Sequence, residues 1–324
     1  MLNKERIKEI FSVFHNYNIL CIGDLMIDEY IIGKTERISP EAPVPIVEIK
    51  NSFYRLGGSG NVISNIVSLG GNVIPCGVIG DDNDGRILDK MLYGVTGSFG
   101  LIFHEINRHT TKKTRIFSDN QQMLRIDKET SRDMEPSVGK SFMNFLIANK
   151  YAFSAIILSD YQKGLLNYDL TQNIINFGRE NDKLVFVDPK GSYEKYKNAN
   201  FITPNLKELS MATGLPVNTD DEIYNAGMKL YHHLNIDGLI VTRGKDGISV
   251  VRNDGHEMIT LPTMDKEVFD VAGCGDTVIA TFALSYLSGL SMKESAIIAN
   301  LTAGIVATKI GTATTTLEEI LEVI

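Results

Sequence analysis

From residue 155 onward the chain repeats one pattern: a short apolar run, a polar or glycine residue at its end, then a helical stretch. The runs are AIILSD (155–160), LVFVDPKG (184–191), FITPN (201–205) and GLIVTRG (238–244). Continuous apolar runs of this length fit strands buried on both faces, the mark of a parallel sheet between two helical layers. An earlier run, NILCI at 18–22, ends in Gly23 and Asp24 in the same way. The later runs bring Asp160, Asp188, Asn205 and residues 242–244 to one edge. In open α/β sheets, ligands bind outside the carboxyl ends of the strands. No repeat, low-complexity tract or long linker divides the 324 residues, so we expect a single α/β domain over 1–324.

Composition removes several classes of function. The formal net charge is −8, which gives no global field for holding a nucleic-acid backbone. No apolar run approaches the roughly 18 residues of a membrane span. The three cysteines, Cys21, Cys76 and Cys274, are odd in number and widely spaced, which fits neither a disulfide framework nor a zinc site. His104, His109, His232 and His233 make no metal spacing. The charged start MLNKERIKEIFSVF has no signal-peptide core, so a reduced, cytoplasmic setting is expected.

Between the strand runs, 3–15 reads as a short amphipathic helix. The stretch 38–49, ISPEAPVPIVEI, carries three prolines, which restrict it to a sheet edge or to chain outside a sheet. Segments 38–50 and 101–127 are expected to form a small β lid. Two helices rich in small and apolar residues close the chain, one after Asp276 and one at 296–311.

The strongest chemical signal is DVAGCGDT at 270–277. Gly273 and Gly275 allow a tight turn and a close approach to a ligand. The helix that follows presents free N–H groups and a positive dipole end, which suits an anion. Asp276 at its mouth could accept a proton from a substrate hydroxyl. It could equally cap the helix. A second signal is GGSGN at 57–61, with Asn65 one helical turn beyond Asn61. No Walker loop occurs, and the glycine spacing does not make a dinucleotide fingerprint.

Taken together and in this order, the glycine-Asn element and the D-x-x-G-x-G-D element resemble the two signatures of the ribokinase-like (PfkB) carbohydrate kinases. The resemblance covers essentially the whole chain and implies a three-layer αβα domain with a mainly parallel sheet and a small β lid. A narrower resemblance, to the D-glycero-β-D-manno-heptose 7-phosphate kinases, rests on IGDLMIDEYIIGKTERISPEAPVPIVEI, GGSGNVISNIVSLGG, TTKKTRIFSDNQQMLRID, SDYQKG, DPKG and TPNLKE. It implies transfer of the ATP γ-phosphoryl group to the anomeric hydroxyl of a heptose 7-phosphate, for nucleotide-activated heptose and surface polysaccharide. Kinases of this type often carry a second, nucleotidyltransferase domain with an HxGH signature. That signature is absent here, so the kinase alone is expected.

Carried onto this sequence, the resemblance makes Asp276 the base, beside the anion-binding loop of Gly273, Cys274 and Gly275. It places Asp24, Gly57, Gly58 and Asn61 at the sugar. The nucleotide falls to Lys190, to the Asn205, Leu206, Lys207, Glu208 element, and to Thr242, Arg243 and Gly244. Glu208 would organise Mg2+ through water, and a monovalent cation is compatible with the family pattern. Cys274 stands where the family usually has alanine, and Ala272 where threonine is frequent; both keep the loop small. Lys112, Lys113, Arg115, Arg125 and Lys163 are the cations available for a sugar phosphate, with Arg125 and Lys163 favoured. Partners are expected to be small molecules, with a homodimer formed through the lids. Two other readings share these residues: a kinase of another sugar, sugar phosphate or nucleoside, and a silent sugar-binding protein.

Overall fold

Alternate residues of the central strands divide between two apolar cores. Ile19, Cys21, Ala155, Ile157 and Phe186 face one, while Leu20, Ile22, Ile156, Leu158, Val185 and Val187 face the other. That alternation is the period-2 geometry of a strand buried on both sides. In this computed structural model, which describes residues 3–119, 121–252, 258–263, 270–309 and 311–324, the strands form a nine-stranded sheet. Its spatial order is Ile259–Leu261, Ile248–Val251, Gly238–Thr242, Phe201–Ile202, Leu184–Asp188, Ala155–Ser159, Asn18–Gly23, Asn72–Gly80 and Leu101–Glu105. From Gly238–Thr242 to Leu101–Glu105 all neighbours run parallel; only the two strands at the other edge are antiparallel.

One helical layer includes Ser59–Ser68, Cys274–Leu287 and Met292–Val306; the other includes Pro136–Ala148, Tyr168–Glu180 and Asp220–Leu234. The expected α/β, three-layer αβα architecture is therefore what the chain adopts. The first helix is shorter than the 3–15 reading, spanning Lys4–Ser12 with a 3-10 turn at Phe14–Asn16.

A second sheet of four strands has the order Pro45–Gly58, Leu25–Ile38, Thr111–Ser118, Gln121–Lys128. The proline-bearing strand lies at its edge and pairs only with Leu25–Ile38, as the missing N–H donors require. The 101–127 segment divides between the two sheets: Leu101–Glu105 pairs in parallel with Cys76 to Gly80 of the central sheet, and the small sheet begins at Thr111. The small sheet also takes in residues 25–37, whose mixed apolar and charged pattern suits a sheet covered on one face only.

The two sheets join at Asp24. Gly23 ends the central strand, Leu25 begins the small sheet, and Asp24 between them donates its N–H to Ser159 O at 3.1 Å. The return strand ends at Gly58 and delivers the chain into the Ser59–Ser68 helix. Gly58 has φ +55°, and a Cβ there would sit 2.5 Å from Asp24 O. This crossing admits glycine alone.

Beneath the sheet, Phe282 packs with its ring centroid 5.4 Å from Phe201, 6.1 Å from Phe186 and 5.9 Å from Tyr286. Phe282→Ala would empty the centre of this aromatic group. We expect it to cost about 3–5 kcal/mol, read as a lowered denaturant midpoint.

Candidate active site

The chain order reverses on either side of Asn18–Gly23. Strands Asn72–Gly80 and Leu101–Glu105 build outward on one flank, and Ala155–Ser159 onward on the other. Such a switch point opens a crevice at the strand ends. Gly23 and Ser159 are register partners there, so the residues that follow, Asp24 and Asp160, are neighbours. Burial, and then the Asp160 charge, push the Asp24 carboxyl up to about 6. Asp160 is itself held by an ion pair with the buried Lys195 and accepts from Tyr196 Oη at 2.7 Å.

Asp276 lies in the first turn of the Cys274–Leu287 helix and is buried. It is not the cap. Gly273 occupies the N-cap position, and the helix has no side-chain cap. The Asp276 carboxylate is turned instead toward two other elements: Asn61 Nδ2 donates to Oδ2 at 2.8 Å, and Tyr161 Oη donates to Oδ1 at 2.8 Å. Burial pushes its pKa up to about 6, against the lowering effect of those two bonds. Asn65 fixes the helix pair from behind, donating to Asn61 O at 2.9 Å and accepting from Thr277 Oγ1 at 3.0 Å. Gly273 has φ +81°, and a Cβ there would stand 2.5 Å from Asn61 Nδ2. Any larger residue would push Asn61 off the carboxylate.

A cavity of about 630 Å³ runs along the strand ends to this point. From the C-terminal helix pair, Val278 and Ala303 give it an apolar side; from the strand ends and the loops after them, Lys190, Asn205, Glu208 and Thr242 give it a polar one. Tyr161, Cys274 and Gly275 line it where it meets Asp276. The volume lies within the range of about 300–1,000 Å³ usual for small-molecule and cofactor sites. At the open end of the helix, the Gly275 and Asp276 N–H groups have no earlier turn to bond to, so the dipole and the free donors meet at the cavity wall. Asp188 also opens onto the cavity, its carboxyl pushed well above the usual range by burial and then by the Asp276 and Glu208 charges.

The motif and the fold converge here, and so does the comparison with known proteins. The profile described as pfkB family carbohydrate kinase matches residues 16–320. The chain belongs to this family. Its members are phosphotransferases that act on sugar hydroxyls. The protein named Bifunctional protein HldE of Helicobacter hepaticus is 41% identical over 307 residues, 94% of this chain and 63% of that protein. Its namesake in Aliarcobacter butzleri is 43% identical over 307 residues, 94% of this chain and 64% of that protein. The chain thus spans less than two thirds of the length of these relatives. A structure of Arabidopsis thaliana ribokinase complexed with ribose and ATP superposes with a TM-score of 0.72, at 19% identity, covering 94% of this chain and 98% of that one. Escherichia coli phosphofructokinase-2 in complex with potassium gives 0.79 at 16% identity, covering 94% and 97%. Both show the ribokinase-like fold.

The structure gathers some of the residues expected from the pfkB signatures and sets others apart. Asp276, Asn61 and Gly273 meet, with Gly275 in the turn before Asp276, and Asp24 and Gly58 lie at the junction of the two sheets. Gly57 is the register partner of Met26 next to that junction. Lys190, Asn205, Glu208, Thr242 and Gly244 line the cavity. Leu206 instead packs into the core, Lys207 is exposed, and neither lines the cavity. Arg243 pairs with Asp220 at 2.8 Å and bonds Ser249 Oγ at 3.1 Å, bracing the loop from behind. The Asn205-to-Glu208 element is a capping box: Asn205 Oδ1 accepts from Glu208 N at 2.9 Å, and Glu208 Oε2 from Asn205 N at 3.0 Å. Arg125 lies half-exposed on the outer strand of the small sheet, paired with Asp127 of its own strand at 2.9 Å. Lys163 is more enclosed, pairs with Glu129 at 2.9 Å, and shares it with Lys113 at 3.4 Å. Tyr161 was not singled out by the sequence reading. Its signals are its place directly after a strand-end aspartate and its presence in the SDYQKG motif.

Cys274 is half-buried rather than fully enclosed, and its thiol is pushed up to about 11 by burial and by the charges of Asp270 and Asp276. Although it lines the cavity, it should therefore be a poor nucleophile. We expect its alkylation by iodoacetamide near neutral pH to be about 100-fold slower than that of a free cysteine, measured by mass spectrometry.

Proposed function

We propose that this chain transfers the γ-phosphoryl group of ATP to the anomeric hydroxyl of D-glycero-β-D-manno-heptose 7-phosphate, giving the 1,7-bisphosphate. One observation carries the chemistry: a buried carboxylate, Asp276, stands at an open helix N-terminus, directly after the cavity-lining Cys274 and Gly275, and is bonded to Asn61 of the glycine-Asn loop. The heptose rests on the motifs that resemble heptose 7-phosphate kinases, supported by the high identity to the HldE proteins.

Asp276 takes the proton of the acceptor hydroxyl. With its pKa near about 6, it is ionised and able to do so at neutral pH. The 273–275 loop and the helix dipole stabilise charge on the transferring group. ATP lies along the cavity, its base toward Val278 and Ala303 and its phosphates toward Lys190, Asn205, Thr242 and Gly244. The polar side of the cavity offers oxygen ligands, which suit Mg2+. Among the described residues no three His, Cys, Asp or Glu side chains converge on one point, so Glu208 would hold the ion through water. Such an ion neutralises phosphate charge in a region crowded with carboxylates. Lys163 and Lys113, already drawn together on Glu129, are better placed than Arg125 to receive the sugar phosphate. The small sheet of Leu25–Ile38, Pro45–Gly58, Thr111–Ser118 and Gln121–Lys128 acts as the lid that excludes water from the transfer.

The small sheet exposes Ile38, Ile49, Leu124 and Ile126, an apolar set that supports a homodimer through the lids. Three free cysteines support a cytoplasmic location. The product would feed nucleotide-activated heptose for surface polysaccharide.

Three measurements test this. In a panel of acceptors with ATP, heptose 7-phosphate should be the preferred substrate; preference for ribose or fructose phosphates would overturn the assignment. Asp276→Asn should lower kcat by about 10²–10⁴ with acceptor binding largely kept. Lys163→Ala should raise KM for heptose 7-phosphate by about tenfold or more while changing KM for unphosphorylated heptose little.

A further inference from the structure

Among the described residues, no cation stands beside the Asp276 carboxylate. Charged or ionisable groups approach it from several elements: Asp28 from Leu25–Ile38, Asp188 from the end of Leu184–Asp188, Cys21 from Asn18–Gly23, and Cys274 from its own helix. Asp28 repels its charge, Asp188 has its own carboxyl pushed up by it, and the thiols do not relieve it. Arg115 is spent on Asp28, at 2.5 Å. The anion therefore depends on the helix N-terminus and on its two neutral donors, Asn61 and Tyr161.

Tyr161 is unusual in how firmly its backbone is held. Its N–H donates to Asp24 Oδ2 at 2.8 Å, and the Lys163 N–H donates to the same oxygen at 3.0 Å. Between them Gln162 adopts φ +56° and donates its N–H to Asp160 Oδ1 at 2.7 Å. Two strand-end aspartates thus pin the loop at the sheet's switch point, and the phenol spans from there to Asp276. Burial pushes the phenol well above its ordinary value, so it remains a donor throughout the neutral range.

We propose that Tyr161 is a positioning residue for phosphoryl transfer, holding the Asp276 carboxylate in the orientation that receives the acceptor proton and linking that orientation to Asp24. The proposal rests on Asp276 being the base. A carboxylate oxygen has two acceptor positions. With one on Oδ1 filled by Tyr161 and one on Oδ2 filled by Asn61, each oxygen keeps a position open. The acceptor hydroxyl gives its proton to one of these as its oxygen bonds to the γ-phosphorus of ATP, while the bond from that phosphorus to the β,γ-bridging oxygen breaks and ADP leaves with the electron pair. The phenol keeps its own proton throughout.

The test is Tyr161→Phe, which keeps the ring and removes only the donor. The acid limb of kcat/KM, followed from about pH 5 to 9, reports the free enzyme. Losing a bond to the ionised form raises the base's pKa, so the limb should move up by about one unit, with activity several-fold low near pH 6 and approaching wild type above pH 8. A limb that does not move, whether or not activity falls uniformly, would overturn the proposal. Asp276→Asn is measured alongside. If that variant stays active, the base assignment itself fails; if it is inactive and the Tyr161→Phe limb is unmoved, only the role of Tyr161 fails. Unchanged thermal midpoints for Tyr161→Phe would confirm that the shift is not a loss of structure.

Discussion

Two neutral hydrogen bonds to one buried carboxylate tie the site together. Asn61 comes from the helix that leaves the small sheet, Tyr161 from the loop after a central strand, and Asp276 from the C-terminal helix pair. These elements are 100 to more than 200 residues apart in the chain. A cation beside Asp276 would hold it more strongly but would lower its pKa and weaken it as a base. Neutral donors orient the group while leaving it near about 6. The arrangement suits a carboxylate that must be ionised at neutral pH yet still able to take a proton.

The junction at Asp24 works by the same economy. One residue links the central sheet to the small sheet and accepts the N–H groups that fix the Tyr161 loop. Its elevated pKa comes from burial beside Asp160, and Asp160 is in turn neutralised by Lys195. The strand ends therefore concentrate negative charge, which phosphate groups can enter only with cations to accompany them.

Much of this was legible in the sequence. The buried strands announced themselves as continuous apolar runs because both faces of a parallel strand are covered. The DVAGCGDT loop announced a turn into a helix because glycine at φ +81° has few substitutes. What could not be read was direction. Asp276 is a good cap by residue type, and only the packing of Ser59–Ser68 against Cys274–Leu287 shows that its carboxylate points to Asn61. Arg125 and Lys163 looked equivalent as cations in similar motifs. Strand pleat and pairing separate them, leaving Arg125 on an outer strand and Lys163 beside Asp24. The role of Tyr161 was not legible, because the SDYQKG motif that contains it does not say where the phenol points. Its role arises from a contact 115 residues away.

The basic residues of both halves of the site share a further property. Lys190 is bound to Glu208 at 2.7 Å, and Lys113 and Lys163 to Glu129 at 3.4 and 2.9 Å. On the proposed function these glutamates hold the lysines in place before phosphate arrives. A phosphate that displaces such a carboxylate exchanges one ion pair for another and need not strip water from a bare ammonium. Glu208 is itself fixed by its capping box, so it can hold Lys190 while keeping the start of the Leu206–Thr213 helix at the cavity wall. Removing it would loosen a helix end, free a lysine and discard the proposed anchor for a hydrated cation together. A loss of activity in such a variant could not be credited to any one of these roles, which is why Tyr161, whose hydroxyl makes one hydrogen bond among the described residues, to the carboxylate, is the sharper probe of the site.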